Sequence, residues 1–344
     1  MSVVQLANVV VPAEFTDYIV ENSLVSSAFF HSGVAIRNGM MASQLQAGAE
    51  FFTVPFWSDL PDIEANISND VPTDLAQPLG ITAASQVVRK AFLNGSWGEA
   101  SLASELSGSS ALQRIQDRVQ AWWDRQFEFR LVATMLGVLY SNVANNGGDM
   151  VNDISGATGT ITLNNGVTVN ANAFNGQAVV DTALTIGDRL EDFKCIAVHS
   201  KIYGEMLKNN EVEFFKPSES SLVFKTYKGM LLTIDDNLTT ATPGVYVTIL
   251  FGPGAIGYAV APPRTGYGTE IHRFPQQGNG GGSTILFSRL NLSLHPLGMS
   301  WSDGTGANAV VGPSPIISDL ANPAHWTRAV AQRKSIPVAF LVSR

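Results

Sequence analysis

The sequence predicts an α+β fold, on three observations. One long amphipathic helix runs from Gly108 to Gly148 as GSSALQRIQDRVQAWWDRQFEFRLVATMLGVLYSNVANNGG. Residues 223–303 are mostly strand-like runs: VFKTYKGMLLTIDD, GVYVTILFG, GAIGYAVAPP, TEIHRFP and STILFSRLNLSLHP. Residues 48–93 have strand character at both ends and a proline-broken acidic middle. Helices and strands are thus segregated along the chain rather than alternating.

The bulk numbers bound the problem. The 344 residues suffice for two or three packed units or one large elaborated one. Charged residues make up only 15%, against a usual share of about 25%. Much of the surface is therefore uncharged, which suits burial against neighbours. A net charge of −8 argues against a dedicated nucleic-acid binder. The single cysteine, Cys195, excludes an internal disulfide. The N-terminal MSVVQLANVVVPAEF lacks the basic start of a signal peptide, and the longest apolar stretch, Leu131 to Tyr140, is too short to span a bilayer. A soluble cytosolic product is expected.

The N-terminal 1–47 read as an arm with one short helical segment over Ala13 to Phe30. Next comes the 48–93 excursion. It carries Phe51, Phe52, Phe56 and Trp57, the acids Glu50, Asp59, Asp62, Glu64, Asp70 and Asp74, and no Lys or Arg between Asn38 and Val88. Its aromatics exceed what a lone hairpin buries. Either it reaches out to another molecule or it folds back on its own domain. In the long helix, Leu112, Ile115, Val119, Trp122, Phe129, Ala133, Leu136 and Tyr140 mark the expected buried face. Ser109 or Ser110 is the expected cap, paired glycines are the stop, and about thirty residues give a rod roughly 45 Å long. Beyond it, Asn165-Gly166 is a hairpin turn signal, Gln177 to Phe193 reads as a helix, KCIAVHS as a buried strand and KIYGEMLKNN as a short helix. The tail reads as turns over 303–325, a short helix near Trp326 to Val330, and a final strand IPVAFLVS.

Catalytic patterns are missing. The histidines His31, His199, His272, His295 and His325 have no zinc-pair spacing, and each reads as packed or capping. GPGAIG at 252–257 lacks a phosphate-loop ending and sits between strands, so a turn is expected. Cys195 lies in an apolar strand, where a thiol is inert. Asp235-Asp236 is a weak cation candidate without further ligands. No catalytic residue, cofactor or metal is expected. Two basic patterns remain: Arg114, Arg118, Arg125 and Arg130 on the long helix, and Arg328, Arg333, Lys334 and Arg344 in the tail. Either can face the acidic excursion of another copy, or simply be solvated with local pairs.

The ordered set of segments resembles the major capsid proteins of tailed double-stranded DNA phages, with the Hong Kong 97-type fold. The helix 109–143 resembles the spine helix of that fold's peripheral (P) domain, and 48–93 its extended (E) loop. CIAVHSKIYGEML (195–207), TYKGMLLTIDDNL (226–238) and VTILFGPGAIGYAVAPP (247–263) resemble its axial (A) domain. TEIHRFP with STILFSRLNLSLHPLGMSW, joined through GNGGG, resembles the P-domain hairpin, and NPAHWTRAVAQRKSIPVAFLV (322–342) the closing segment. The resemblance implies an arm (1–47), an E-loop (48–93), a spine helix (94–148), an A domain with an inserted hairpin (149–268), a P-domain hairpin (269–303) and a C-terminal segment returning to the A-domain core (304–344).

It further implies a non-enzymatic shell subunit. Copies would form hexamers and pentamers of an icosahedral head, assembled in the bacterial cytoplasm around non-specifically contacted double-stranded DNA. A scaffolding protein, a portal and a possible decoration protein are the implied partners, with no membrane. The short arm suggests a separate scaffolding protein and little N-terminal processing. Phe51, Phe56 and Trp57 are the expected anchors on a neighbour, with Asp59, Asp62 and Glu64 meeting bases such as Arg118 and Arg125. With no lysine between Asn38 and Arg89, no covalent cross-link from the loop is expected. The alternatives are an encapsulin-like compartment shell, which shares the fold, and a soluble hydrolase with an unrecognised site.

Overall fold

The long helix forms and is longer than the sequence suggests. In the computed structural model it spans Ala111–Asn145, 35 residues, a rod of about 52 Å. Residues 3–4, 33–60, 63–73, 75, 78–108, 110–162, 168–215, 224–265 and 267–344 are described; the expected arm helix at 13–30 and the Asn165-Gly166 turn fall outside them. The Ser110 hydroxyl accepts from the Gln113 N–H, and the buried Glu99 carboxylate accepts from the Leu112 N–H at 2.6 Å. Two free donors of the first turn are thereby satisfied, with a negative charge at the positive end of the dipole. Gly147 and Gly148 follow the helix with φ of 65° and 72°, the left-handed turn that glycine permits.

The buried face differs from the expected stripe. Leu131, Val132, Met135, Val138 and Leu139 are its most enclosed apolar residues, while Leu136 and Tyr140 are only partly buried. The reason is that the second half, from Phe127 to Asn142, is enclosed on nearly all sides, so a one-sided pattern does not apply there. The first half is mostly exposed or half-buried.

Two seven-stranded sheets flank this rod. The first runs β1 (Val3–Val4), β4 (Ala83–Ala100), β15 (Ser283–Pro296), β13 (Ile256–Ala261) and β2 (Ala35–Arg37), with β3 (Phe51–Trp57) added on β4 and β14 (Thr269–Phe274) on β15. The second runs β5 (Val151–Asp153), β18 (Val338–Ser343), β12 (Tyr246–Phe251), β8 (Cys195–Val198), β11 (Met230–Ile234), β10 (Phe224–Tyr227) and β9 (Glu213–Phe215). Two small ladders join β6 (Thr160–Thr162) to β7 (Thr168–Asn170) and β16 (Met299–Trp301) to β17 (Trp326–Arg328).

The second sheet is covered on both faces, which explains its unbroken apolar runs. Cys195, Ala197, Ile249, Phe251, Val338 and Phe340 face the core shared with the spine helix. Ile196, Val198, Leu250, Ala339 and Leu341 face a second core under the helices Gly176–Leu184 and Ser200–Lys208. The chain end supplies β18, which sits between β12 and β5.

Two elements correct the sequence reading. The helix expected over Gln177 to Phe193 stops at Leu184, and a tighter turn over Gly187–Asp192 follows Gly187 at φ 78°. The helix expected near Trp326 to Val330 is instead strand β17. Trp326 pairs opposite Trp301, and their rings meet edge to face with centroids 4.9 Å apart, a geometry that favours a β pair over a helical turn.

The tail is locked onto the spine at Gly137. Trp326 donates its indole N–H to the Leu320 carbonyl at 2.8 Å, and the Ser141 hydroxyl donates to the Trp326 carbonyl at 2.6 Å. A Cβ on Gly137 would collide with the Leu320 carbonyl and the Trp326 indole. Gly137→Ala is therefore expected to destabilise the subunit by about 1–3 kcal/mol, read as a lower denaturant midpoint by circular dichroism.

Candidate functional site

The excursion builds a flap on β3 and the first part of β4. The two strands are antiparallel, from Phe51 opposite Arg89 to Trp57 opposite Ala83. Side chains alternate across the ladder, so Phe51, Thr53, Pro55 and Trp57 share one face and Phe52, Val54 and Phe56 the other. Trp57 is 70% exposed and Phe51 53% exposed, whereas Phe52 is buried. Of the three expected anchors, Phe51 and Trp57 therefore stand together on the open face. Phe56 is half-buried on the opposite one.

Beyond Trp57, the described residues between Ser58 and Thr82 form neither helix nor strand. Asp59 and Glu64 are exposed there, and Asp62 lies outside the described residues. Sequence reading missed the tip's aliphatics. Ile63, Ile67, Val71, Leu75 and Leu79 recur at every fourth position, and all are exposed, Ile67 to 88% and Leu75 to 85%.

The base of the flap is as closed as its tip is open. Arg89 is the last β4 residue paired with β3, and Lys90 is the first paired with β15. The Arg89 guanidinium has Nη1 3.3 Å from Glu50 and Nε 3.0 Å from Asp303. Asp303 also accepts from the Trp301 indole at 2.7 Å. Lys90 is fully buried; its ammonium donates to the Ala47 carbonyl at 2.8 Å and lies 5.8 Å from the centre of the Phe52 ring. Burial lowers its pKa. These two cations also escaped the sequence reading, although they close a stretch of fifty residues without a base.

Gln86 and His295 complete the base. The His295 Nε2 and Gln86 Oε1 are 3.1 Å apart, and burial holds the imidazole at about 4. The β3–β4 root also packs on Met41 and Leu45 of the short helix Gly39–Leu45, which the Asn38 side chain caps.

The expected basic partners divide. Arg118 is exposed and Arg125 half-buried on the first half of the spine helix. Among the described residues no salt bridge joins Asp59 or Glu64 to any base. The basic tail is corrected. Arg328 pairs with Asp149 at 2.6 Å, Lys334 with Asp188 at 2.7 Å, and Arg333 donates to the Val338 carbonyl and the Thr185 hydroxyl. Those three cations close loops of their own chain. Arg130 is likewise buried and donates to the Pro315 carbonyl.

The other candidates have structural duties. The His199 side chain accepts from the Lys201 N–H and caps a helix. His325 stacks on Trp301. Asp235 accepts from the Asn237 backbone and side chain, and Cys195 is buried. GPGAIG forms the turn between β12 and β13, with Gly254 at φ 69°. Among the described residues no cluster of His, Cys, Asp or Glu could hold a metal ion, and no helix is long and apolar enough to cross a membrane.

Comparison with known proteins puts this arrangement in context. No protein-family model matches the chain. The major capsid protein of Bacillus phage SPP1 is 30% identical over 346 aligned residues, covering 99% of this chain and 98% of that protein. Among solved structures, a chain of Microbacterium phage Oxtober96 aligns over 96% of this chain and 95% of its own, with TM-score 0.54 and 8% identity. A chain of the Cyanophage Pam1 capsid asymmetric unit aligns over 96% of each, with TM-score 0.53 and 10% identity. At such identities the structural likeness is one of fold, and that fold is the Hong Kong 97 type.

His295 makes the flap base sensitive to acid. The unfolded chain takes up this proton near the ordinary value of 6.5 and the folded chain only at about 4. The stabilisation is therefore present above pH 6.5 and is lost as the pH falls through 4. It amounts to roughly 3 kcal/mol. His295→Gln is expected to flatten the fall in unfolding free energy across this window, measured by denaturant titration at stepped pH.

Proposed function

This chain belongs to the major capsid proteins of tailed bacteriophages, and we propose that it builds its shell by laying the 48–93 flap of each subunit over the next. Its place is the virion capsid, where it assembles with other subunits into a phage shell. The finer reading is that the subunits form hexamers and pentamers of an icosahedral head, in which the flap's open face lies on a neighbouring copy. Phe51 and Trp57 anchor it, Phe56 braces it from beneath, and Asp59, Asp62 and Glu64 meet Arg118 and Arg125 of that copy. Assembly takes place in the bacterial cytoplasm with a scaffolding protein, a portal and in some shells a decoration protein. Double-stranded DNA is contacted non-specifically, and the subunit performs no catalysis.

One observation carries this reading. A subunit that buries Lys90 completely at the flap's root leaves Trp57, Ile67 and Leu75 between 70% and 88% exposed at its end. A water-facing function gives no reason for so much uncovered apolar surface, and a second molecule does. In this reading that molecule is the next copy in a ring, since head-to-tail contacts of identical subunits form a ring when the rotation between them closes. The root also bears on cross-linking. Lys90, the first lysine after Asn38, is enclosed, so neither the flap nor its base offers an amine.

Trp57→Ala is expected to reduce shell yield severely while leaving the far-ultraviolet circular dichroism of the free subunit unchanged. Loss of that spectrum in step with assembly would assign Trp57 to the subunit's own fold. Mature shells boiled in detergent are expected to run as monomers on a denaturing gel, and a ladder of multimers would refute the absence of cross-links.

A further inference from the structure

Two buried arginines from distant parts of the chain line one small pocket. Arg89 comes from β4 at the flap root, and Arg130 from the middle of the spine helix. Together with Ala91, Leu292, Leu294, Trp301, Pro315, Leu320 and Trp326 they line a space of about 20 Å³. That is room for one water-sized sphere. The other lining side chains are apolar apart from the two indoles.

The two cations at this pocket are paired unequally. Arg89 has Glu50 and Asp303 beside it, but both carboxylates are partly in solvent, at 54% and 38% exposure. Its Nε and Nη1 are buried without a well-directed hydrogen bond. Arg130 is 8% exposed. Its named partner is the Pro315 carbonyl at 3.1 Å, and among the described residues no carboxylate lies within salt-bridge reach of it. A buried cation held by one neutral carbonyl is costly. Arginine does not escape that cost by losing its proton near neutral pH, and burial brings Arg130 down only to about 10.

We propose that this pocket binds a single small monovalent anion, of halide size, between Arg89 and Arg130. A space for about one water-sized sphere suits a halide better than phosphate or sulfate, which carry four oxygens. The two arginines supply N–H donors, and the remaining walls are the two indoles and apolar side chains. The anion would join three parts of the subunit: the flap root through Arg89, the spine helix through Arg130, and the tail through the walls at Leu320 and Trp326. Its occupancy would tie the stability of the flap base to the kind of salt present, not only to its concentration.

The test compares the full-length subunit in sodium chloride, sodium bromide and sodium gluconate at equal ionic strength, since gluconate is too large for the pocket. At 0.2 M salt the halides are expected to raise the folded-to-unfolded ratio about tenfold over gluconate, the shift for a ligand at about ten times its dissociation constant. Arg130→Met is expected to remove the halide advantage. Should that variant fail to fold, crystals of the unaltered protein grown in bromide decide the matter by an anomalous peak between Arg89 and Arg130. Equal unfolding midpoints in all three salts, or bromide crystals with no such peak, would mean that the pocket holds water alone and would overturn the proposal.

Discussion

Strand β4 changes partners between Arg89 and Lys90, and much of the subunit's design follows from that point. Up to Arg89 it pairs with β3 and belongs to the flap; from Lys90 it pairs with β15 and belongs to the body. Adjacent residues of a strand point to opposite faces, so the two cations grip the junction from both sides. Arg89 reaches Glu50 and Asp303, and Lys90 reaches Ala47. Ordered polar contacts at a buried point cost more to break than surface pairs. They fix the direction in which the flap leaves the body. A strand of 18 residues without a break then carries that direction from the flap into the sheet.

The same junction explains why the tail matters. Ser300 of β16 accepts from the Val87 N–H and Ser314 of the tail from the Phe92 N–H, so β16 and the tail take up donors on either side of the partner change. The tail is itself held against the spine by Trp326 and Ser141. Flap, tail and spine are therefore one mechanical unit, although the contacts of Val87 and Phe92 span 213 and 222 residues and that of Ser141 with Trp326 spans 185. Contacts of that range are slow to form, because the intervening chain must be closed first.

How much of this was legible in the sequence depends on the kind of signal. The spine helix and its Ser110 cap were readable because helical periodicity and capping are local. So was the hairpin of β14 and β15, with its strands on either side of the GNGGG turn. The half-enclosed end of the helix was misread, because an element covered on all sides loses the one-faced pattern. Trp326 to Val330 was misread because its strand pairing depends on Trp301, a partner the local sequence does not contain. Arg89 and Lys90 stayed hidden for the same reason. A cation in sequence reads as surface, and only the three-dimensional arrangement shows it buried. The three aromatics expected as anchors came with the family resemblance, and strand parity separates Phe56 from Phe51 and Trp57.

In the proposed shell, the flap's contact would be set by apolar surface more than by charge. An exposed ion pair is worth about 0–1 kcal/mol and weakens with salt. A fully buried aliphatic side chain is worth about 1.5–3 kcal/mol. Ile63, Ile67, Val71, Leu75 and Leu79 thus outweigh the acids that separate them. The acids serve a different end. With no base between Asn38 and Val88, two flaps carry like charge, which in the proposed shell would disfavour flap-to-flap pairing but not flap-to-body pairing. A subunit with so few charges needs such a rule against wrong partners, because apolar surface alone does not discriminate between them. On that proposal, acidic residues placed among exposed aliphatics would let one segment adhere to the body of a neighbouring copy and resist its own kind.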